Sequence, residues 1–308
     1  MTKIVAIGEA MVELAPAGGP DMYRAGFAGD TLNTAWYLRK LMPKANQIAY
    51  FTAVGRDAMS GKLLAFIDAA GLVTKYIDRR DDSTVGLYMI SLTNGERSFS
   101  YWRGQSAARR MLESDTALRT ALQGADVAYL SGITLAILPD PDRARLLDVL
   151  HDFRSNGGKV VFDPNLRPRL WPDTKTMTNA VMQAASLTDI VLPSFEDEAA
   201  WFDDPTPEAT ASRYRNAGVD IVVVKNGPDQ MLVATTDQSF TVAPTRITDV
   251  VDTTAAGDSF NAGFLASYLE HGNLEQACVA GAGIAGQVIR QIGALVDVHT
   301  DLVTDSPK

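Results

Sequence analysis

The sequence predicts an α/β protein: a mostly parallel sheet flanked by helices on both faces, with a small antiparallel β lid. Three observations lead there. Short, continuously apolar runs alternate with helix-length segments, the pattern of strands buried on both faces. One Asn-Gly stands between two β-rich runs and breaks that alternation, as a hairpin turn does. Polar clusters follow several apolar runs, at the strand ends where open α/β sheets bind ligands.

In chain order, the apolar runs at 4–7, 48–54, 127–131, 160–163, 190–193 and 221–225 read as strands. The segments 31–41, 58–70, 141–155 and 174–186 read as helices between them. Residues 85–92 and 97–102 form the predicted hairpin around Asn94 and Gly95. With the β-rich stretches 11–15 and 21–27 they make the lid, spanning about 11–27 and 85–103. No linker or repeat divides the chain, so 1–308 is expected to be one domain, with a polar, loosely held tail after Val298. Three strand-end clusters, Asp163-Pro164-Asn165-Leu166-Arg167, Ser194-Phe195-Glu196-Asp197 and Lys225-Asn226-Gly227, can converge on one cleft.

Composition removes several classes of function. Of 308 residues, 46% are hydrophobic and 21% charged, an ordinary globular balance. The formal net charge of -9 argues against a broad nucleic-acid footprint. Cys278 is the one cysteine, which rules out an intrachain disulfide, and its Ala/Gly-rich helical setting makes it a small core residue. His151, His271 and His299 lack ligand spacing, so no metal site of His and Cys is expected. Glu9 and Glu13 break the apolar N-terminal stretch, which is too short and too charged for a membrane span. A soluble, cytoplasmic protein is the expectation.

The stretch DTTAAGDSF, 252–260, carries the densest signal. Phe260, Phe264, Leu265, Tyr268 and Leu269 recur at helical spacing, so a helix begins near Gly257. Its first N–H groups lack intrahelical partners and its dipole is positive there. Small residues let an anion approach the backbone. Alone, Asp258 reads as a first-turn acid worth ~0.3–1 kcal/mol. Beside a phosphate-cradling helix start, a carboxylate can also take a proton from an attacking hydroxyl. No GxxxxGK[ST] occurs, which excludes the P-loop route. The run Gly281-Ala282-Gly283-Ile284-Ala285-Gly286 lies inside a helical stretch, 274–290, with capping-box spacing between Asn273 and Gln276, and is read as close helix packing.

The segment DTTAAGDSFNAGFL, 252–265, resembles the C-terminal signature of the ribokinase-like (PfkB) carbohydrate kinases. AGDTLNTA, 28–35, resembles the family's N-terminal Gly-Gly-x-x-x-Asn signature. With GEAMVEL, GLY, YWR, YLSGITLAIL and FDPNLRPRLW, the pattern is similar to the branch that acts on keto-deoxy sugar acids. The resemblance covers nearly the whole chain. It implies a ribokinase-like three-layer fold and ATP-dependent phosphorylation of 2-keto-3-deoxygluconate at its terminal hydroxyl. ATP and Mg²⁺ are the implied cofactors, with K⁺ a further candidate.

By that resemblance Asp258 is the catalytic base, and Ala255, Ala256 and Gly257 form the anion hole. Gly29, Asp30 and Asn33 contact sugar hydroxyls. Tyr88, Tyr101, Arg103 and Arg167 surround the acid end and the phosphoryl path, with Arg167's share between the two left open. Asn165, Ser194, Lys225 and Gly227 lie on the nucleotide side, which Ala255 and Gly257 also border. The chemistry agrees: a guanidinium is a planar donor fork suited to a carboxylate. From strand pattern alone, Tyr88, Tyr101 and Trp102 are ordinary strand residues and Arg103 a solvated edge charge.

Five positions depart from the family pattern. Ala28 replaces a glycine. Ala255 also replaces one, and because φ > 0 is costly for alanine, φ < 0 is expected there. Ser194 and Asp197 stand at the ends of an Asn-x-x-Glu motif, which weakens the motif's magnesium role. Glu13 stands where sugar kinases often carry Asp, against a ribose or adenosine substrate. Fructose, ribose and galactonate-epimer kinases remain alternatives, as does a non-catalytic sugar-acid binder. The lid's edge strands need cover, so a homo-oligomer joined through the lid is expected, with no nucleic-acid or membrane partner.

Overall fold

The computed structural model describes residues 1–19, 21–93 and 96–300. Asn94 and Gly95 of the expected hairpin turn, and most of the expected loose tail, lie outside the described residues. The chain opens with β1 (Lys3–Ile7), leaves the body for β2 (Met11–Pro16) and β3 (Tyr23–Ala28), and returns through α1 (Asp30–Leu41) to β4 (Gln47–Gly55). Next come α2 (Ala58–Ala69), β5 (Ile77–Arg80) and a second excursion, β6 (Gly86–Thr93) and β7 (Glu96–Trp102). There follow α3 (Thr116–Leu122), β8 (Val127–Ser131), α4 (Gly132–Ile137), α5 (Asp140–Ser155), β9 (Lys159–Asp163) and α6 (Thr174–Ala185). The last third holds β10 (Ile190–Val191), α7 (Phe195–Phe202), α8 (Pro207–Asn216), β11 (Ile221–Val224), β12 (Met231–Ala234), β13 (Ser239–Val242), α9 (Ala256–His271) and α10 (Leu274–Val288).

The main sheet has nine strands in the order β13-β12-β11-β10-β9-β8-β1-β4-β5. From β11 to β5 neighbours run parallel, while β12 and β13 complete one edge antiparallel. Every strand read from the sequence is present. β5, β12 and β13, each of four residues, add to them. β10 stops at Val191 just short of Pro193, a residue with no N–H for a ladder.

Alternation along the strands builds three layers. Ile4, Ala6, Ile48, Tyr50 and Tyr129 face one core, packed by α1, α9 and α10 through Leu32, Phe264 and Ile284. Val5, Ile7, Ala49, Phe51 and Leu130 face the other, packed by α3, α5 and α6 through Leu118, Leu146 and Met177. Cys278 is fully buried in the first core, as its setting suggested. The glycines of the run in α10 include a close contact: a Cβ on Gly281 would stand 2.8 Å from the Phe260 carbonyl oxygen. No helix among the described residues is long and apolar enough to cross a membrane.

The second sheet has four strands in the order β3-β2-β6-β7. Its two outer pairs are antiparallel, as expected. Its central pair, β2 with β6, is parallel, because the two excursions leave the body in the same direction and lie side by side.

Candidate active site

α9 starts where the C-terminal ends of the central strands face the small sheet. Ala255 is its N-cap, with φ 59 and ψ 17. This overturns the expected φ < 0. The chain must turn sharply into the helix from the 252–254 segment, which Asp252 pins in place. The Asp252 Oδ1 accepts from the Thr254 N–H at 3.0 Å and its Oδ2 from the Gly293 N–H at 2.8 Å. The left-handed residue makes that turn, and the Ala255 carbonyl then accepts the first helical bond, from Ser259 N–H at 2.9 Å. An L-residue pays roughly 1–2 kcal/mol for this conformation. The Ala256 N–H turns inward to the Thr253 carbonyl at 3.2 Å. The Gly257 and Asp258 N–H groups belong to the first turn, where no intrahelical acceptor exists.

Asp258 is partly accessible, and its Oδ2 accepts from Asn33 Nδ2 at 2.8 Å. Its carboxyl is pushed up to about 8. Desolvation is the largest cause, followed by the charge of Asp30, while the Asn33 bond and Arg167 oppose it. A carboxylate so placed is strongly basic for its type yet reachable, which suits a general base near neutral pH.

α1 brings Gly29, Asp30 and Asn33 to this point. A Cβ on Gly29 would stand 2.2 Å from the Glu9 carbonyl oxygen, so only glycine lets the end of β1 and the start of α1 meet. Asp30 Oδ2 accepts from Asn165 Nδ2 at 2.9 Å. Asn165, expected on the nucleotide side, is thus tied to the start of α1. Asn165 and Arg167 both have positive φ, 34 and 47. Arg167 reaches Asp197 at 3.8 Å and its side chain is half exposed.

The small sheet contributes Tyr88 and Tyr101, whose ring centroids are 5.8 Å apart. The Tyr88 hydroxyl donates to Glu13, and burial plus that carboxylate drives its phenol far above the ordinary range. Asp258 lies near enough to add to the shift. Trp102 is exposed. Arg103, read from strand pattern as a solvated edge charge, is 9% exposed and pairs with Glu9 through Nη2.

On the other side of the helix start lies a cavity of about 540 Å³, lined by Ser194, Lys225, Gly227, Ala256 and Gly257 among others. Phe195 N–H donates to the Lys225 carbonyl at 2.8 Å, which locks the two strand-end clusters together. The Lys225 ammonium lies 3.1 Å from Asn261 Oδ1 and 3.4 Å from Asp163 Oδ2. A Cβ on Gly257 would be 3.6 Å from that ammonium, so the cation stands against the helix start. Beneath it, Asn261 Nδ2 donates to Asp163 at 2.7 Å and to the Tyr129 hydroxyl at 3.1 Å.

The structure therefore gathers Gly29, Asp30, Asn33, Asn165 and Arg167 with Asp258, and Ser194, Lys225 and Gly227 with Ala256 and Gly257. Tyr88 and Tyr101 flank the first group. Sequence reasoning assigned no role to Glu9, Asp252 or Asn261. Asn261 carried a readable signal, three residues beyond Asp258 and so on the same side of α9; Asp252 opened the very motif. Among the described residues no group of three His, Cys, Asp or Glu side chains could hold a metal ion.

A family model for pfkB family carbohydrate kinases matches residues 1–301. The chain belongs to that family. Over 303 residues this PfkB kinase is 41% identical to a 2-dehydro-3-deoxygluconokinase of Haemophilus influenzae, covering 96% of each chain. It is 27% identical to a fructokinase of Vibrio alginolyticus, over 100% of this chain and 96% of that one. The crystal structure of a 2-dehydro-3-deoxygluconokinase from Thermotoga maritima superposes with a TM-score of 0.86 at 19% identity, covering 98% of this chain and 97% of that one. That last likeness establishes the ribokinase-like fold.

Two predictions follow from the helix start. Ala255→Gly removes the left-handed penalty but adds flexibility to the unfolded chain, so a net gain of about 0.5–1 kcal/mol is expected in denaturant unfolding. A loss of stability contradicts the assigned strain. For Asp258, the folded pKa of about 8 lies above the unfolded value of roughly 3.9. The stabilisation linked to its proton is full below the unfolded value and is lost as pH rises through the folded one. Asp258→Asn should therefore gain Tm relative to wild type between pH 5 and about pH 9. A gap that stays constant or narrows rules this out.

Proposed function

We propose that the protein catalyses ATP-dependent phosphorylation of 2-dehydro-3-deoxy-D-gluconate at its C6 hydroxyl, giving 2-dehydro-3-deoxy-6-phospho-D-gluconate and ADP. The carrying observation is the position of Asp258. Its carboxylate bonds to Asn33 on the sugar side, while the preceding residue, Gly257, lines the cavity on the other side. One helix start thus touches both compartments, as in-line transfer of a phosphoryl group needs. The 41% identity to a kinase named for this substrate supports the choice of sugar acid.

In this reading the sugar acid lies between α1 and the small sheet. Gly29, Asp30 and Asn33 orient its hydroxyls. Tyr88, Tyr101 and Arg103 receive its acid end. Asp258 accepts the proton of the terminal hydroxyl as that oxygen attacks the γ-phosphorus. The nucleotide occupies the cavity beside Ser194, Lys225 and Gly227, whose volume suits a ligand of that size. First-turn N–H groups of α9, the Lys225 ammonium and Arg167 stabilise the charge on the transferring group. Mg²⁺, bound on the nucleotide's phosphates, would neutralise further charge there; Asp163 and Asp197 are the carboxylates on hand beside Lys225 and Arg167.

The small sheet also serves assembly. β3 and β7 are its outer strands, and β7 exposes Phe99, Tyr101 and Trp102. Open edges with exposed aromatics are a liability in an isolated chain. The reading pairs two copies through this sheet.

An assay of ADP release over a panel of keto-deoxy, aldonic and neutral sugars tests the substrate. The keto-deoxy acid should lead the panel, and Asp258→Asn should cut its kcat by ~10²–10⁴-fold with ATP still bound. A neutral sugar in first place, or near-normal kcat in that variant, contradicts the proposal. Light scattering at micromolar concentration should show a dimer or a multiple of it; a monomer contradicts pairing through the sheet.

A further inference from the structure

Glu9 sits at the joint between body and lid, where β1 gives way to β2. It is 2% exposed and carries two polar partners. Arg103, just beyond β7, donates through Nη2 to its Oε2, and Ser106 Oγ donates to its Oε1 at 2.5 Å. Gly86, the first residue of β6, has no side chain because Glu9 is there: a Cβ would stand 2.8 Å from Glu9 Oε1 and 3.3 Å from Arg103 Cβ. The Glu9 carbonyl abuts Gly29, which opens the helix carrying Asp30 and Asn33. One residue thus touches the roots of both lid excursions and the sugar-side helix.

Two features argue that the pair does more than close a joint. A buried ion pair is an expensive fastener, and apolar side chains of similar size serve as well or better. The guanidinium is also incompletely used. Arg103 Nε is buried with no partner among the described residues, so the Glu9 contact does not satisfy the whole fork. The group lies 5.9 Å from the Tyr101 ring, at the base of the aromatic face formed by Tyr101 and Tyr88.

We propose that Glu9 is a positioning residue that holds the Arg103 guanidinium in one orientation so that its remaining donors meet the substrate's carboxylate. This rests on the sugar-acid reading above. Glu9 touches neither the sugar nor the nucleotide. Without its charge, the guanidinium loses its fixed partner and can take other rotamers, and a planar donor fork is selective only when its direction is fixed. The consequence is specific to the acid group: orientation of a carboxylate suffers, while recognition of the sugar hydroxyls and of the nucleotide does not.

The test uses the full-length protein with Glu9→Gln, Glu9→Asp and Ser106→Ala. Calorimetric affinities are measured for 2-keto-3-deoxygluconate and for its methyl ester, which lacks the charge, alongside KM for ATP and kcat. In Glu9→Gln the acid's Kd and KM should rise tenfold or more, with the ester's Kd and the KM for ATP within twofold and kcat within threefold. Glu9→Asp, which keeps the charge, should return the acid's Kd to within threefold of wild type. Ser106→Ala, which only loosens the carboxylate, should weaken the acid two- to fivefold and leave the ester alone; it decides the matter should Glu9→Gln not fold. Equal losses for acid and ester mean a structural joint and overturn the inference, as does an acid affinity that is unchanged or tighter. A wild-type enzyme that does not phosphorylate the acid defeats the substrate reading itself; a wild-type enzyme that does, with selectivity intact in the variants, defeats only the role of Glu9.

Discussion

The rest of the site depends on a carboxylate held where water is scarce, at the first turn of a helix. Asp258 gains from the positive end of the α9 dipole, yet desolvation and the neighbouring Asp30 outweigh that gain and raise its proton affinity. The surrounding contacts can be read as the means of keeping it there. Asn33 donates to it, Arg167 offsets part of the negative charge, and Asp252 pins the segment that leads into the helix. Ala255 accepts a left-handed conformation at the turn. Strain at a non-glycine position persists where the surrounding structure over-determines it, and here the turn sets the direction of the first-turn N–H groups.

The three-layer body makes that arrangement possible without moving parts. Parallel strands end on one side of the sheet, and β1, β8, β9 and β11 deliver Glu9, Ser131, Asp163 and Lys225 to the same edge. α9 is clamped from below by α10, where Gly281 allows backbone-to-ring contact with Phe260. The buried chain of Thr34, Tyr129, Asn261 and Asp163 ties α1, β8, α9 and β9 together beneath the site, with Thr34 Oγ1 also donating to the Asp258 carbonyl at 3.1 Å. Groups set in such a network need little reorganisation when charge develops above them. The small sheet joins this body through the Glu9–Arg103 pair and through Met11, Tyr88 and Ile90, which pack with Ala294.

Much of this was legible beforehand because periodicity reports burial. Continuous apolar runs gave the central strands, the helical spacing after Asp258 gave α9, and strand-end polar clusters gave three of the loops that converge. What stayed hidden has a common physical cause: single residues whose environment comes from distant parts of the chain. Glu9 reads as a charge interrupting an apolar stretch, although its partners lie 94 and 97 positions away. Arg103 reads as an edge charge and is buried. The expectation for Ala255 followed local propensity, which the pinned segment before it overrides. The parallel pairing of β2 with β6 depends on how two excursions leave the body, which no local pattern encodes.

The central claim is that the Asp258 carboxyl is far more basic than an ordinary carboxylic acid, and this can be measured without reference to any substrate. Carbon-13 NMR titration of the aspartate side-chain carboxyls in the free protein, with the Asp258 signal assigned by its loss in Asp258→Asn, gives its pKa directly. The account predicts a midpoint near 8. A midpoint in the ordinary carboxylate range, roughly 4, would contradict it.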